Sequence, residues 1–142
     1  MMEPIKVKYR SVFKYDNHQE TIKFDTNGYL KTTSNGKMIS FKGDKEIKIE
    51  IMLDKVILHN GKSMLHLVLN DEIVNEYETD YGVVLLKTKL ISYQYENPLK
   101  LRYELYDGNN LISSVYLMVS YLQLEWDEYL ILSNLSCSQK EW

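Results

Sequence analysis

Tyrosine hydroxyls are the polar groups of this sequence that are best placed to recognise a ligand. The chain has 12 tyrosines. Apolar and polar residues alternate around Tyr9, Tyr103 and Tyr121, and these three tyrosines occupy the apolar positions of the alternation. This alternation predicts that the three rings point into a core. A buried phenol needs a hydrogen-bond partner, which is a side chain, a water or a ligand. The tyrosines therefore predict either a core with hydroxyls at its rim or an apolar cavity with a few hydroxyls in its wall.

The histidines are the candidates for metal binding. His59 and His66 flank an Asn60-Gly61 turn signal, and His18 lies in a different turn. If Asn60 and Gly61 are the two turn residues, His59 lies opposite Lys62, and His66 lies roughly 13 Å further along the strand. Two histidines that far apart do not chelate one ion, so no metal site is expected.

Catalytic motifs are missing from the sequence. It has no phosphate-binding loop, no dinucleotide fingerprint and no zinc-protease helix motif. Its one cysteine, Cys137, lies among Ser136, Ser138 and Gln139, without the basic neighbour that would activate a thiol. Most carboxylates fall in turns or on the polar side of the alternating runs. We therefore expect no catalytic residue, no cofactor and no enzymatic activity.

Composition limits the class of protein. The 142 residues are 44% hydrophobic and 26% charged, which is typical of one globular domain. No apolar run approaches the ~18 residues of a membrane span, and the first residues do not resemble a signal peptide. A cytoplasmic location is the expectation. A net charge of −3 argues against nucleic acid as a partner, although Lys6, Lys8, Arg10 and Lys14 form a basic stripe.

The elements that position these side chains are predicted to be strands, because hydrophobicity alternates with a period of two almost everywhere and turn residues separate the runs. The chain contains no alanine, the best helix former, and is rich in Tyr, Ile, Val and Thr. The predicted strands are about 4–15, 19–32, 37–42, 46–53, 56–60, 62–70, 72–79, 83–95, 99–106 and 111–123.

The strands are predicted to form an all-β, antiparallel, up-and-down barrel of about eight to ten strands. Asn35-Gly36 and Asn60-Gly61 are strong signals for two-residue hairpins. No connection is long enough for a crossover helix, so the order is a meander. An open ten-strand meander has two exposed edges, and closing the sheet removes both of them.

Two details of the barrel can be examined from the sequence. Pairing Leu105 with Ser113 buries more apolar surface than pairing it with Ile112, and it requires a three-residue loop over 108–110. In the strand 83–95 both faces carry apolar and polar residues. The sequence does not decide which of those faces enters the lumen.

The last 19 residues break the alternation. Residues 1–123 are interpreted as the barrel domain, and 124–142 as a C-terminal extension that forms a helix or a short strand. Its apolar residues predict either a cap on one barrel end or a homodimer patch. These residues are Trp126, Tyr129, Leu130, Leu132 and Leu135.

Three stretches resemble the small bacterial YwiB-like proteins, a family of unknown function with a calycin-type, lipocalin-like β-barrel. They are Gln19–Tyr29, the Asn60-Gly61 turn with Met64 after it, and Tyr77–Thr88. The similarity is colinear over about residues 5–122. Family members often carry an arginine before the glycine near position 61, where this chain has Asn60. The resemblance implies the barrel and no established activity; calycins in general bind small hydrophobic ligands.

The function expected from the sequence is binding of a small hydrophobic ligand in the barrel lumen. Tyrosine, serine or threonine hydroxyls would give specificity. The alternative is an interaction module with a filled core that self-associates through its C-terminal segment. The residues expected to contact a ligand are Tyr9, Phe24, Tyr77, Thr79, Tyr103 and Tyr121.

Overall fold

Ten antiparallel strands make up the structure, a computed structural model that describes residues 2–124. The strands are β1 (Met2–Lys14), β2 (Gln19–Thr33), β3 (Gly36–Lys42), β4 (Glu46–Ile51), β5 (Lys55–Asn60), β6 (Ser63–Val68), β7 (Glu72–Thr79), β8 (Gly82–Gln94), β9 (Leu99–Asp107) and β10 (Asn110–Gln123). Each corresponds to one predicted strand.

The strands form one sheet that curls into a nearly closed barrel, which confirms the predicted fold class. The spatial order is β6-β5-β4-β3-β2-β1-β10-β9-β8-β7. The first and last strands pair antiparallel, from Ile5 opposite Gln123 to Lys14 opposite Ser114. The ladder is interrupted between β6 and β7 instead of between the chain's first and last strands.

Side chains connect β6 to β7 where the backbone ladder is interrupted. Asn75 Oδ1 accepts the His66 N–H at 2.8 Å, and the Thr88 hydroxyl donates to the His66 carbonyl at 2.7 Å. Asn75 Nδ2 donates to Thr88 Oγ1 at 3.1 Å. Asn75 and Thr88 together satisfy both backbone groups of His66, as a neighbouring strand would. We call this junction the seam.

The lower half of the barrel, which contains the first residues of β1, is tightly filled. Side chains from all around the barrel meet there with almost no exposed surface. They include Ile5, Val7, Ile39, Val56, Leu67, Leu90, Leu99 and Val119. The hydroxyl of Tyr93 donates to the Met52 carbonyl near this end. The upper half contains the hairpin turns that follow β1, β3, β5, β7 and β9, and its interior is less completely filled.

Both hairpins with an Asn-Gly signal form, but each turn is shifted by one residue. Asn60 pairs with Ser63, so Gly61 and Lys62 are the turn residues, and His59 lies opposite Met64. The prediction that His59 faces Lys62 was therefore wrong. Gly61 has φ of +63°, a left-handed conformation that glycine adopts without strain. The turn places its glycine where that conformation is needed.

The predicted register of β9 and β10 is confirmed, although the loop is not as predicted. Leu105 pairs with Ser113, as favoured from apolar burial, and Asn110 pairs with Asp107. The turn is therefore two residues long, and a bulge between Leu111 and Ser113 takes up the extra residue.

The structure settles the face of β8 that enters the barrel. Thr88 and Leu90 are fully buried, so Lys87 and Lys89 lie on the outer face. Residues 82–86 pair only with β7 among the described strands, and Val83 and Leu85 are exposed on the outer side of this hairpin.

The predicted C-terminal extension lies outside the described residues, apart from Leu124. The backbone N–H of Leu124 donates to the Pro4 carbonyl at 2.9 Å. The cap and the homodimer patch predicted for Trp126 to Leu135 fall on residues that the structure does not describe. Between residues 2 and 124, no helix could serve as a membrane span.

Candidate functional site

A cavity of about 270 Å³ occupies the upper half of the barrel. Eight of the ten strands contribute residues to its wall, which is mostly aliphatic or aromatic. The lining residues are Tyr9, Ser11, Phe13, Ile47, Ile49, Leu58, His59, Asn60, Ser63, Leu65, Tyr77, Leu86, Tyr103, Leu105, Val115 and Leu117. The cavity combines an apolar wall with a few hydroxyls, which is the usual composition of a small-molecule site.

Strand β1 contributes three successive inward side chains to this wall. Tyr9, Ser11 and Phe13 are two residues apart, so they lie on the same face of the strand. The Tyr9 ring stacks on Phe24, with centroids 4.8 Å apart and planes 20° apart. This stacking fixes the ring, because Phe24 in turn packs against Phe41. Ser11 is the small polar residue between two large aromatic ones.

Ser11 is the most unusual residue of the cavity. Its side chain is 1% exposed, and among residues 2–124 its Oγ is the one fully buried side-chain polar atom without a hydrogen-bond partner. Burial raises the pKa of Tyr9, and the nearby Ser11 hydroxyl partly offsets this rise. The two hydroxyls are nevertheless not placed to form a hydrogen bond. A buried hydroxyl without a partner costs stability, so it calls for an explanation.

Tyr103 lines the cavity from β9, which is separated from β1 by β10. Its side chain is buried, and no hydrogen bond joins its hydroxyl to any residue between 2 and 124. Burial raises its pKa strongly, and the nearby hydroxyls of Tyr9, Tyr77 and Tyr15 raise the pKa further. The phenol therefore stays neutral and can donate a hydrogen bond near neutral pH.

No Lys, Arg, Asp or Glu of the described chain lines the cavity. His59 borders it, but its Nε2 atom lies 2.6 Å from Glu50 Oε2 on the outside of the sheet. Within residues 2–124, no three His, Cys, Asp or Glu side chains lie close enough together to hold a metal ion. The interior of the site is therefore polar only through hydroxyls and one amide, that of Asn60.

The mouth of the cavity lies between the β5–β6 hairpin and the upper part of β7. Asn60, Ser63 and Tyr77 border both the cavity and a shallower depression outside it. The Ser63 hydroxyl donates to the Glu78 carbonyl at 2.8 Å, which links β6 and β7 at this point. Lys62 and Asp80 are among the charged residues of the outer depression, so charge is confined to the entrance.

The structure brings together half of the residues predicted to contact a ligand. Tyr9, Tyr77 and Tyr103 all line the cavity. Phe24 lies behind Tyr9 and supports its ring without lining the cavity. Thr79 lies in the outer depression, where its hydroxyl donates to the Gly82 carbonyl at 2.8 Å.

Tyr121 is not part of this site. It belongs to the lower half of the barrel, and its backbone pairs with the Asn97 side chain there. Its inward parity was predicted correctly, since it packs against the core cluster. Parity alone does not distinguish the upper half of a strand from the lower, so it predicts the same role for Tyr121 and Tyr9.

Sequence reasoning missed Ser11, Ser63 and Asn75. Ser11 stands in an otherwise apolar series of inward residues on β1, and Asn75 shares the inward side of β7 with Ile73 and Tyr77. A polar residue at an inward position was the available signal in both cases. For Ser63 no such signal existed, because its role depends on contact with a strand that is 15 residues away.

The basic stripe lies on the outer surface. Lys6, Lys8, Arg10 and Lys14 are exposed, as their alternation predicted, and face away from the cavity. Within residues 2–124, none of them forms an ion pair with a carboxylate. They do not contribute to the candidate site.

Comparison with known proteins supports the fold and supplies no activity. The crystal structure of the ywiB protein from Bacillus subtilis superposes with a TM-score of 0.65 and 20% sequence identity, covering 84% of this chain and 92% of that chain. No curated protein matches the sequence. A family model described as a domain of unknown function, DUF1934, matches residues 5–119. Because that match spans most of the chain, the protein belongs to the DUF1934 family, as the resemblance to YwiB-like proteins had implied.

Proposed function

We propose that this protein binds a small, largely apolar molecule in the upper half of its barrel and has no catalytic role. The observation that carries the proposal is the unpartnered, fully buried Ser11 hydroxyl in the wall of an apolar cavity. A hydroxyl buried for packing alone would be bonded to the backbone, as that of Ser113 is to the Lys14 carbonyl at 3.1 Å.

The size of the cavity supports a ligand of modest size. A cavity of ~150 Å³ admits benzene, so 270 Å³ corresponds to roughly ten to twelve non-hydrogen atoms. At usual ligand efficiencies such a molecule binds with a dissociation constant on the order of 10–100 µM. The barrel architecture supports the same function by analogy, since calycin-type barrels of about this strand number hold one small ligand.

A substitution that fills the cavity tests the proposal. Leu105 lines the cavity, whereas the next residue, Tyr106, belongs to the opposite face of β9. We expect 4′-propylacetophenone, which has 12 non-hydrogen atoms, to bind the wild-type protein saturably in isothermal titration calorimetry. Leu105→Trp should abolish this binding, because the indole occupies the same volume.

Tyr106→Trp is the matched control for that experiment. It places the same side chain on the same strand, outside the barrel, and should leave binding unchanged. Equal binding by both variants, or no saturable binding by the wild-type protein, would reject the proposal. Native mass spectrometry of the wild-type protein, purified without refolding, would in addition give the mass of any ligand released on denaturation.

A further inference from the structure

Two of the buried hydroxyls in the cavity wall lie on strands that are separated by a single strand. Ser11 lies on β1 and Tyr103 on β9, with β10 between them. Strands β1 and β9 are therefore about 10 Å apart, twice the usual spacing of neighbouring strands. Through β10, Ser11 is in register with Leu101, and Tyr103 lies two residues further up β9, about 7 Å along the strand. The long tyrosine side chain can cover much of this offset, so one ligand atom between the two residues is within reach of both hydroxyls.

Ser11 lies near the inner end of the cavity, where Tyr9, which pairs with Val119, is the one β1 residue that lines the cavity below it. Leu117, which pairs with Ser11, is followed by Val119, which belongs to the filled lower half. The mouth, with Asn60 and Ser63, is at the other end. A ligand therefore meets the aliphatic wall of Leu58 and Leu65 along its length and the hydroxyls at the end that enters first.

Both hydroxyls are suited to donate hydrogen bonds to an acceptor that carries no charge. Ser11 Oγ has no partner of its own, and Tyr103 keeps its proton because its pKa is raised. No cation of the described chain lines the cavity to balance a buried anion. An ionised group at this depth would lose its hydration without compensation, whereas a carbonyl oxygen accepts two hydrogen bonds through its two lone pairs.

We infer that the ligand is an uncharged carbonyl compound that enters the barrel carbonyl end first, and that Ser11 and Tyr103 bind its oxygen. This inference rests on the proposed function and specifies the class and the orientation of the ligand. It accounts for a buried hydroxyl that has no partner in the protein, because the partner is supplied by the ligand.

Three probes of equal size test the inference. They are 4′-propylacetophenone, 1-isopropyl-4-propylbenzene and 4-propylbenzoate, which carry a carbonyl, an apolar isopropyl group and a carboxylate at the same position. In competition against one reporter ligand at pH 7.5, we expect the ketone to bind about tenfold more tightly than the hydrocarbon, from the hydrogen bonds that the hydrocarbon lacks. The carboxylate should bind more weakly than the ketone.

Ser11→Ala and Tyr103→Phe identify the groups responsible. Each variant should lose most of the preference for the ketone and keep the hydrocarbon affinity within about twofold, which also shows that the variant is folded. Ser113→Ala is the control, since Ser113 is equally buried, does not line the cavity and should keep the tenfold preference.

The possible outcomes separate the two proposals. Equal binding of ketone and hydrocarbon, tighter binding of the carboxylate, or an unchanged ketone preference in both Ser11→Ala and Tyr103→Phe would overturn this inference and leave the proposed function in place. Failure of all three probes to bind the wild-type protein would count against both.

Discussion

At the scale of single residues, the inside of this barrel contains polar groups of two kinds. Asn75, Thr88 and Ser113 are buried and bonded to the backbone. Ser11 is equally buried and is not bonded. The first kind contributes to folding stability, and the second lowers it, because a desolvated hydroxyl without a partner costs free energy. This contrast is what distinguishes a candidate binding residue from a structural one here.

Ser11→Ala should raise the stability of the ligand-free protein. Removing an unbonded buried hydroxyl recovers its desolvation cost, so the free energy of unfolding should rise by about 1 kcal/mol. Ser113→Ala should instead lower it by about 1 kcal/mol, because it removes a hydrogen bond to Lys14. Urea denaturation of both variants and the wild type measures the difference. If Ser11→Ala lowers the free energy of unfolding as much as Ser113→Ala does, the Ser11 hydroxyl is not an unbonded group.

His66 should make stability depend on pH. Burial, Lys55 and His59 lower its pKa below the usual value of 6.5, and Glu50 opposes this. Since the folded state favours the neutral ring, the contribution of His66 to stability is present above pH 6.5 and is lost as the pH falls through its lowered pKa. His66→Gln should flatten the stability curve between pH 7.5 and 5. Parallel curves for the variant and the wild type would show that other groups cause the dependence.

At the scale of the elements, the seam is the weakest junction of the barrel. Neighbouring strands elsewhere are joined by backbone ladders, whereas β6 and β7 are joined by side chains, with one backbone bridge from Leu69 to Leu90 of β8 beside them. Ser63 adds a link near the cavity mouth through its bond to the Glu78 carbonyl. Because the seam borders the mouth, we expect separation of β6 from β7 to widen the entrance.

Asn75→Ala should lower the free energy of unfolding more than a substitution on the barrel surface does. The variant leaves the buried N–H of His66 without its acceptor, at a cost of about 2–3 kcal/mol in the free energy of unfolding. Amide hydrogen exchange at His66 should accelerate as well. Asn27→Ala, on the outer side of β2, should change stability by less than about 0.5 kcal/mol. Unchanged exchange at His66 would show that the seam is held by other contacts.

At the scale of the whole molecule, the barrel is divided along its axis. The lower half is filled by side chains such as Ile5, Leu67 and Leu99, which are at most 1% exposed. The upper half contains the cavity and ends in the hairpins around it. A filled half that supports a hollow half gives a rigid base on which a binding site of defined shape can be built.

This division predicts an uneven pattern of hydrogen exchange. In the ligand-free protein, peptides covering residues 59–65 and 76–86 should exchange faster than those covering 4–8 and 97–101, because they border the cavity and the seam. Saturating 4′-propylacetophenone should slow exchange in the upper peptides and leave the lower ones unchanged. Mass spectrometry of pepsin fragments provides the measurement. A uniform slowing, or none at saturation, would be inconsistent with a ligand in the upper half.

The sequence by itself determined the features that depend on local periodicity. Alternation located all ten strands, and apolar burial selected the pairing of Leu105 with Ser113 over its rival. It also indicated that Tyr9 and Tyr103 point inward. Such features follow from neighbouring residues, because side chains alternate between the two faces of any strand.

Only the tertiary structure decided the features that depend on closure of the barrel. The position of the seam, the inward face of β8 and the division into filled and hollow halves all require strands distant in sequence to meet. Ser11 illustrates the reason. The alternation of β1 is enough to put Ser11 on the same face as Tyr9 and Phe13. The lack of a partner follows from everything that surrounds it, including residues more than a hundred positions away on β10.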